Sequence, residues 1–566
     1  MNENNSSAVS CVECQRRKQK CDRKFPCNHC LKRGVSHLCR VVTKHAAPKA
    51  SENGGLADTQ SVSTKTSRKR KPESFGERAQ FDGDGDSYDG SSDVDVSDAL
   101  SNLGYMYHHH HLRLDHRGSG PKVVDKRSPR SSEELKTALL LMPAKPYTDC
   151  LVDNWLNGAN YHYYVLYPPE FRTQYDGWWA SPTDKATPEL TSLIMRVCAC
   201  SLQFIMSESV KRRLEWELKA DVATFSNRMH TAAEKLSATI PPGKGGLIDV
   251  QQLLLTAFWY KSGDRWTDAW HALGRAVREA NEIGLHQDSV SDGMSEFDRE
   301  MRRRMWVLLN VWDFALSSML CRPFLISHAD CTAVMPTLTL EINPERPDQP
   351  SPFRHIILHY RLSRDIAAQL RSDIDKAQRA QRLRDLIYGW LEELPAEYAL
   401  RAPDTRWDKE FDWVVFQRRF LHVVGYKWLF DILRPFITQN SGKPMTELEA
   451  ALQAAGVHAA LDLVDTSWLF FETLVSVGAR FHCSVFCVFD TSCTISSAVI
   501  HDDARNLPQR ETVLETIIKG LRMLEQLRLE SKTSAGLYHI LKRLVAKLPL
   551  NAKEQGIIGR AKRARA

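Results

Sequence analysis

Six cysteines fall within the first 39 residues: Cys11, Cys14 and Cys21, then Cys27, Cys30 and Cys39. Thiolates at such spacing bind zinc, which in structural sites takes four tetrahedral ligands. Two ions need eight ligand bonds, and six thiolates supply eight only if two sulfurs are shared. The stretch is nearly a repeat, with a C-x-x-C pair and a later cysteine in each half, so the first cysteines of the two halves, Cys11 and Cys27, are the expected bridges. Cys11, Cys14, Cys21 and Cys27 then hold one ion, and Cys11, Cys27, Cys30 and Cys39 hold the other. A unit of this size has no core of its own. Metal must supply its folding energy, about 10–16 kcal/mol for a single structural site in peptides.

Between Cys14 and Cys21 the chain reads Gln15-Arg16-Arg17-Lys18-Gln19-Lys20. Residues 11–40 hold nine Lys/Arg against two Asp/Glu. With six thiolates and two zinc ions counted, the unit still carries about +5, a strong positive charge for its size. A four-cysteine site from Cys11, Cys14, Cys27 and Cys30 leaves Cys21 and Cys39 without a role. A Cys/His finger needs paired histidines, which His29, His37 and His45 do not offer. A disulfide knot needs an oxidising compartment, and Met1–Ser10 contains no apolar segment that would direct export.

The run Cys-x2-Cys-x6-Cys-x5-Cys-x2-Cys-x8-Cys, with Arg17-Lys18-Gln19-Lys20-Cys21-Asp22 and Pro26, resembles the fungal zinc binuclear cluster transcription factors. The resemblance implies a nuclear regulator that holds two zinc ions and binds double-stranded DNA. It also implies a first short helix that enters the major groove at CGG-type triplets. The matching positions are Arg17 and Lys18, suited to the O6 and N7 acceptors of guanine. Arg16, Lys20, Arg23, Lys24, Lys32 and Arg33 are then expected at phosphates. Gln15 departs from the basic residue common there.

A second resemblance covers about residues 150–330, the middle homology region of the same family, an all-helical regulatory domain. It is carried by Trp270–Arg278 through Gly284-Leu285-His286, by Arg302-Arg303-Arg304-Met305-Trp306, by Asp313 and by Cys321-Arg322-Pro323. Here Cys321 stands in place of the usual glycine, and Phe314 where the family often has arginine.

These motifs sit in a chain of 566 residues with a net charge of +7, long enough for at least two folded units. The fold expected is a small zinc-stapled DNA-binding domain and a large all-α domain joined by a disordered linker. Residues 1–10 read as a disordered terminus, 11–40 as the cysteine domain and 41–131 as the linker, poor in large apolar side chains. Residues 132–550 read as the all-helical domain and 551–566 as a basic tail.

In the span Arg299–Leu320, Met301, Met305, Leu308, Trp312, Ala315 and Met319 step by four and three, and the other face is apolar too, which places the helix at the centre of a core. Ser295 and Asp298 form a capping pair upstream of it. A helix over 264–283 turns Ala269, Leu273, Ala276, Ala280 and Ile283 inward and Arg275, Arg278, Glu279 and Glu282 outward, and Gly284 stops it. Further helices are expected around 188–206, 209–236, 247–261, 355–374, 376–394, 410–434, 446–478, 508–527 and 533–547. The apolar stretch from His482 to Ile500 is interrupted by Asp490 and reads as a buried helix rather than a membrane span.

Other features are less specific. Arg68-Lys69-Arg70-Lys71 is a candidate nuclear import signal, and seven aspartates between Asp82 and Asp98 form a solvated acidic block. Arg302–Arg304 reads as a solvated helix face, and the aromatics at Tyr161–Tyr167 and Trp178–Trp179 as core. The remaining eight cysteines show no ligand spacing and read as buried thiols. Pro241-Pro242-Gly243-Lys244-Gly245-Gly246 lacks the spacing of a phosphate loop, and no catalytic set stands out, so the chain is expected not to be an enzyme. The competing classes are an enzyme or a scaffold with an accessory zinc module. Co-regulators or transcription machinery are expected on the helical domain. Residues 41–60 show no heptads, which leaves both a monomer and a homodimer open.

Overall fold

Ser295 precedes the helix that the sequence places at the centre of a core, and the structure shows why the helix starts there: its Oγ accepts the backbone N–H of Asp298 at 3.1 Å. The computed structural model describes residues 14, 20–22, 27–33, 129–180, 186–205, 207–291, 293–328, 331–438, 445–476, 483–528 and 532–563. They belong to two units, Met1–Ser91 and Ser92–Ala566. In the first, the short helix α1 spans Asn28–Lys32.

The second unit begins its helices with α2 (Pro129–Leu141), α3 (Lys145–Asn157), α4 (Pro168–Ala180), α5 (Pro188–Ser201), α6 (Glu208–Leu218) and α7 (Val222–Ser237). There follow α8 (Gly246–Ser262), α9 (Trp266–Glu282), α10 (Glu296–Met319), α11 (Arg354–Leu370), α12 (Lys376–Glu392) and α13 (Asp412–Ile437). The last are α14 (Glu447–Ser476), α15 (Cys483–Ile500), α16 (Arg510–Leu527), α17 (Lys532–Val545) and α18 (Ala552–Arg563). Among the described residues there is no β-strand, only an isolated bridge between Asn343 and Arg346. None of the described helices is long and apolar enough to cross a membrane.

Packing follows the chain: α8 lies against α5 and α9, α13 against α12 and α14, and α15 against α14 and α16. One hydrophobic cluster extends from Leu135 on α2 to Ile558 on α18. The helix α10 is central as expected, since Met305, Trp306, Leu308, Leu309 and Trp312, from both its faces, are all buried. At the end of α9, Gly284 adopts φ +69°, and the N–H groups of Gly284 and Leu285 cap the carbonyls of Asn281 and Ala280. This is a Schellman stop, which needs a left-handed residue.

Four expectations are corrected. The helix expected over 209–236 is two helices, because Lys219 turns left-handed at φ +51° and Asp221 caps α7 through the N–H of Thr224 at 2.8 Å. The basic tail expected from 551 opens with α18, which packs on α16 and buries Ile557 and Ile558. Glu279 does not face outward; it is buried, and its carboxylate accepts the N–H of Gly243 at 2.9 Å. The outlying cysteines are not uniformly buried, since Cys198, Cys200 and Cys487 are but Cys321 is exposed.

Candidate metal centre and nucleic-acid interface

Cys27 caps α1. Its extended backbone starts the helix, its Sγ accepts the N–H of Cys30 at 3.4 Å, and its carbonyl accepts the N–H of Leu31 at 2.9 Å. The helix therefore turns Cys27 and Cys30 to one side, both fully buried. Cys14 lies beside them, also buried and helical, with its Sγ 3.6 Å from that of Cys27. The sulfurs of Cys14, Cys27 and Cys30 all lie within 4.8 Å of one another. A second group joins Cys27 to Cys21 and Asp22 within the same limit.

This donor set fits zinc. With Zn–S bonds of about 2.3 Å, tetrahedral geometry separates two sulfurs by about 3.8 Å. A disulfide would bring them to about 2 Å. Cys27 is common to both groups. Asp22 is a residue whose role the spacing did not reveal: its Oδ2 accepts the N–H of Asn28 at 3.0 Å and so ties the end of the first half to the start of α1. Its one sequence signal is its place directly after Cys21.

Among the described residues of this unit the exposed side chains are mostly polar, three of them cationic and one, Asp22, acidic. Lys20, Asn28, His29, Lys32 and Arg33 are exposed, as is Leu31. Of the residues expected to bind metal, Cys14, Cys21, Cys27 and Cys30 are brought together, while Cys11 and Cys39 lie outside the described residues. Of those expected at DNA, Lys20, Lys32 and Arg33 are placed at the surface. Arg16, Arg17, Lys18, Arg23 and Lys24 lie outside the described residues, as do Arg68, Lys69, Arg70, Lys71 and the acidic block at 82–98.

The matches to known families follow the same division. Residues 9–46 match the fungal Zn(2)-Cys(6) binuclear cluster domain, and residues 155–380 match the fungal specific transcription factor domain. The chain carries both domains, the cysteine cluster and the regulatory domain, of the fungal Zn(2)-Cys(6) transcription factors. It is 25% identical over 463 residues to the transcription factor xilB of Penicillium rubens, an alignment covering 76% of this chain and 67% of that protein. It is 29% identical over 307 residues to the probable transcription factor sol4 of Alternaria solani, covering 50% and 52%. With the Zn(2)-C6 fungal-type transcription factor mpsB of Macrophomina phaseolina it shares 24% over 386 residues, covering 58% and 51%. The chain thus spans about two thirds of the length of the first relative and about half that of the other two.

Within the family's second domain, the arginine run of α10 is not a solvated face. Arg302 donates to Ser291 Oγ at 2.9 Å and to the Ile283 carbonyl at 2.7 Å, and Arg303 pairs with Asp288 at 2.8 and 2.9 Å. Arg304 is fully buried between Glu300, at 2.9 Å, and Glu341, at 2.8 Å. Burial opposes ionisation of Glu300, yet the N–H groups of Thr337 and Leu338 and the Arg304 guanidinium hold its carboxyl below the ordinary value. These arginines are committed to the fold and offer nothing to nucleic acid. Asp313 does similar work nearly two turns from the end of α10: burial pushes its carboxyl up, and it accepts the N–H groups of Leu325 and Ile326 at 2.8 Å.

Proposed function

We propose that this protein is a nuclear, sequence-specific regulator of RNA polymerase II transcription that recognises CGG-like promoter elements through its amino-terminal unit. The observation that carries the reading is the position of Cys27, which shares one ligand group with Cys14 and Cys30 and another with Cys21. These groups cut across the expected partition, since Cys14 sits with Cys30 rather than with Cys21, but a shared Cys27 is what a two-ion cluster requires, with Cys11 as the second shared sulfur and Cys39 closing the second shell. Bound zinc supplies the staple that a unit this small lacks. The chain's own residues then do the reading: Arg17 and Lys18 at guanine edges, and Arg16, Lys20, Arg23 and Lys24 at the phosphates.

The helical unit, in this reading, governs activity through co-regulators or the transcription machinery, Arg68–Lys71 directs nuclear import, and no catalytic role is assigned. The test is selection of bound sequences from random double-stranded DNA by the full chain. Enrichment of CGG-like triplets at fixed spacing supports the proposal and reports whether one copy or two bind. Recovery of unselected sequence at equal affinity sinks it in favour of a non-specific scaffold.

A further inference from the structure

A cavity of about 530 Å³ opens at the surface of the helical unit between α11, the end of α12 and the segment 336–349. Pro336, Ile342, Pro347, Ile357 and Leu358 form its apolar wall, and Ile342 is 59% exposed. Most of its charged residues are answered within the protein: Arg346 pairs with Glu410, Arg354 with Glu397 and Glu341 with Arg304. Arg361 and Glu393 have no ion-pair partner among the described residues.

Arg361 also opens a cationic stretch, since residues 361–384 hold seven Lys/Arg against three aspartates. Of those aspartates, Asp375 is occupied in capping α12 through the N–H of Ala377 at 2.9 Å. Arg361 and Arg364 on α11 and Arg371 at its C-cap step by three and seven, so they share one face of the helix over about 15 Å. All three are exposed. Arg364 donates to His328 Nδ1 at 2.8 Å and to the Tyr360 hydroxyl at 3.3 Å. Burial, with Arg364 and Arg371 adding to it, pushes the His328 ring down to about 4, so these partners are uncharged near pH 7. Among the described residues no carboxylate pairs with any of the three arginines, Asp365 on the same helix included. Like charges at this spacing repel one another, a cost that an acidic occupant removes.

We propose that this surface docks an acidic segment of a partner protein, one apolar side chain of the segment filling the cavity and its carboxylates lying along Arg361, Arg364 and Arg371. The concave apolar wall beside the arginines favours such a segment over a phosphate backbone, which has no apolar side chain to place there. Glu393 repels acids from the cavity and so directs the acidic part along α11 toward Arg371. Docking itself is independent of what the amino-terminal unit reads; only the naming of the partner as a co-regulator rests on that reading.

The test is fluorescence anisotropy of the full chain, without DNA, with a labelled peptide in which glutamates and aspartates flank one phenylalanine and one leucine. The native chain is expected to bind it saturably, and about tenfold or more tighter than the same peptide with glutamine and asparagine in place of the acids. Alanine in place of the phenylalanine and leucine weakens binding about threefold or more. Arg361→Glu with Arg371→Gln, at exposed positions without ion pairs, weakens binding of the acidic peptide by about tenfold or more. Arg228→Glu with Arg543→Gln makes the same change of charge at exposed positions on α7 and α17 and alters the affinity by less than about twofold. Absence of saturable binding overturns the proposal. So does an equal affinity for the amide or alanine peptide, or an equal loss from the two pairs of substitutions. Weakened binding of duplex DNA by the Arg361 and Arg371 substitutions, with the peptide affinity unchanged, also overturns it and assigns the face to phosphate.

Discussion

The sulfurs of Cys14 and Cys27 lie 3.6 Å apart, close to the edge of about 3.8 Å in a tetrahedral zinc–thiolate site, although they stand thirteen positions apart in the chain. If Cys27 is shared, its loss cannot be confined to one ion. Cys27→Ala in the full chain is expected to release both zinc equivalents and abolish specific DNA binding, while the melting of the helical unit is unchanged. Metal analysis of the purified variant checks this, and retention of one full equivalent would show that Cys27 serves a single ion.

Arg304 and its neighbour Arg303 differ in a way that denaturation can read. Arg304→Ala strands Glu300 and Glu341 in the interior and is expected to cost about 3–5 kcal/mol, the loss typical of a broken buried pair. Arg303→Ala removes a pair with Asp288 nearer the solvent and is expected to cost about 1 kcal/mol or less. Urea denaturation of both variants decides. Equal losses would mean that the Arg304 network is no better than a surface bridge.

Cys321 terminates α10 at φ +52°, where the N–H of Arg322 reaches the Ser317 carbonyl at 2.8 Å. A side chain in this left-handed position costs about 1–2 kcal/mol, and glycine escapes the penalty. Cys321→Gly is expected to raise stability by about 1 kcal/mol after the added freedom of glycine in the unfolded chain is set against it. The denaturation midpoint should rise with an unchanged slope; a fall would assign the exposed thiol a contact of its own.

Burial holds the carboxyl of Glu279 up at about 7, with Asp249 and Glu282 adding to the effect against the N–H of Gly243. The folded state therefore retains a proton that the unfolded chain gives up at lower pH. This stability is fully present below the ordinary glutamate value and is lost as pH rises toward 7. Glu279→Gln keeps an acceptor for Gly243 and cannot ionise. Relative to the native chain it is expected to gain on the order of 2 kcal/mol at pH 8 and little at pH 5. Denaturation at the two pH values tests the sign, and a gain at pH 5 alone would reverse it.

The features legible from sequence were those with local causes. The cysteine spacing announced the metal centre because ligand and backbone geometry are set within a few residues. The four- and three-residue steps of Met301 to Met319 announced α10, and Ser295 and Gly284 announced a start and a stop, because caps act over one turn. The illegible features had distant causes. Arg304 reads as a surface residue until Glu341 arrives from 37 positions away. Glu279 reads as the outer face of α9 until the loop at Gly243 folds over it. The helix α18 reads as a charged tail because Ile557 and Ile558 are its main apolar signal, and α16 is what covers them.

Among the described residues of the amino-terminal unit, the buried side chains are Cys14, Cys21, Cys27 and Cys30 alone. Among these described residues the interior is sulfur, which has no fallback when its ions depart, unlike the carbon-filled core of the helices. Folding of this unit is therefore expected to depend on bound zinc. Metal removal should leave the carbon-cored helical unit folded while the cysteine unit loses its structure.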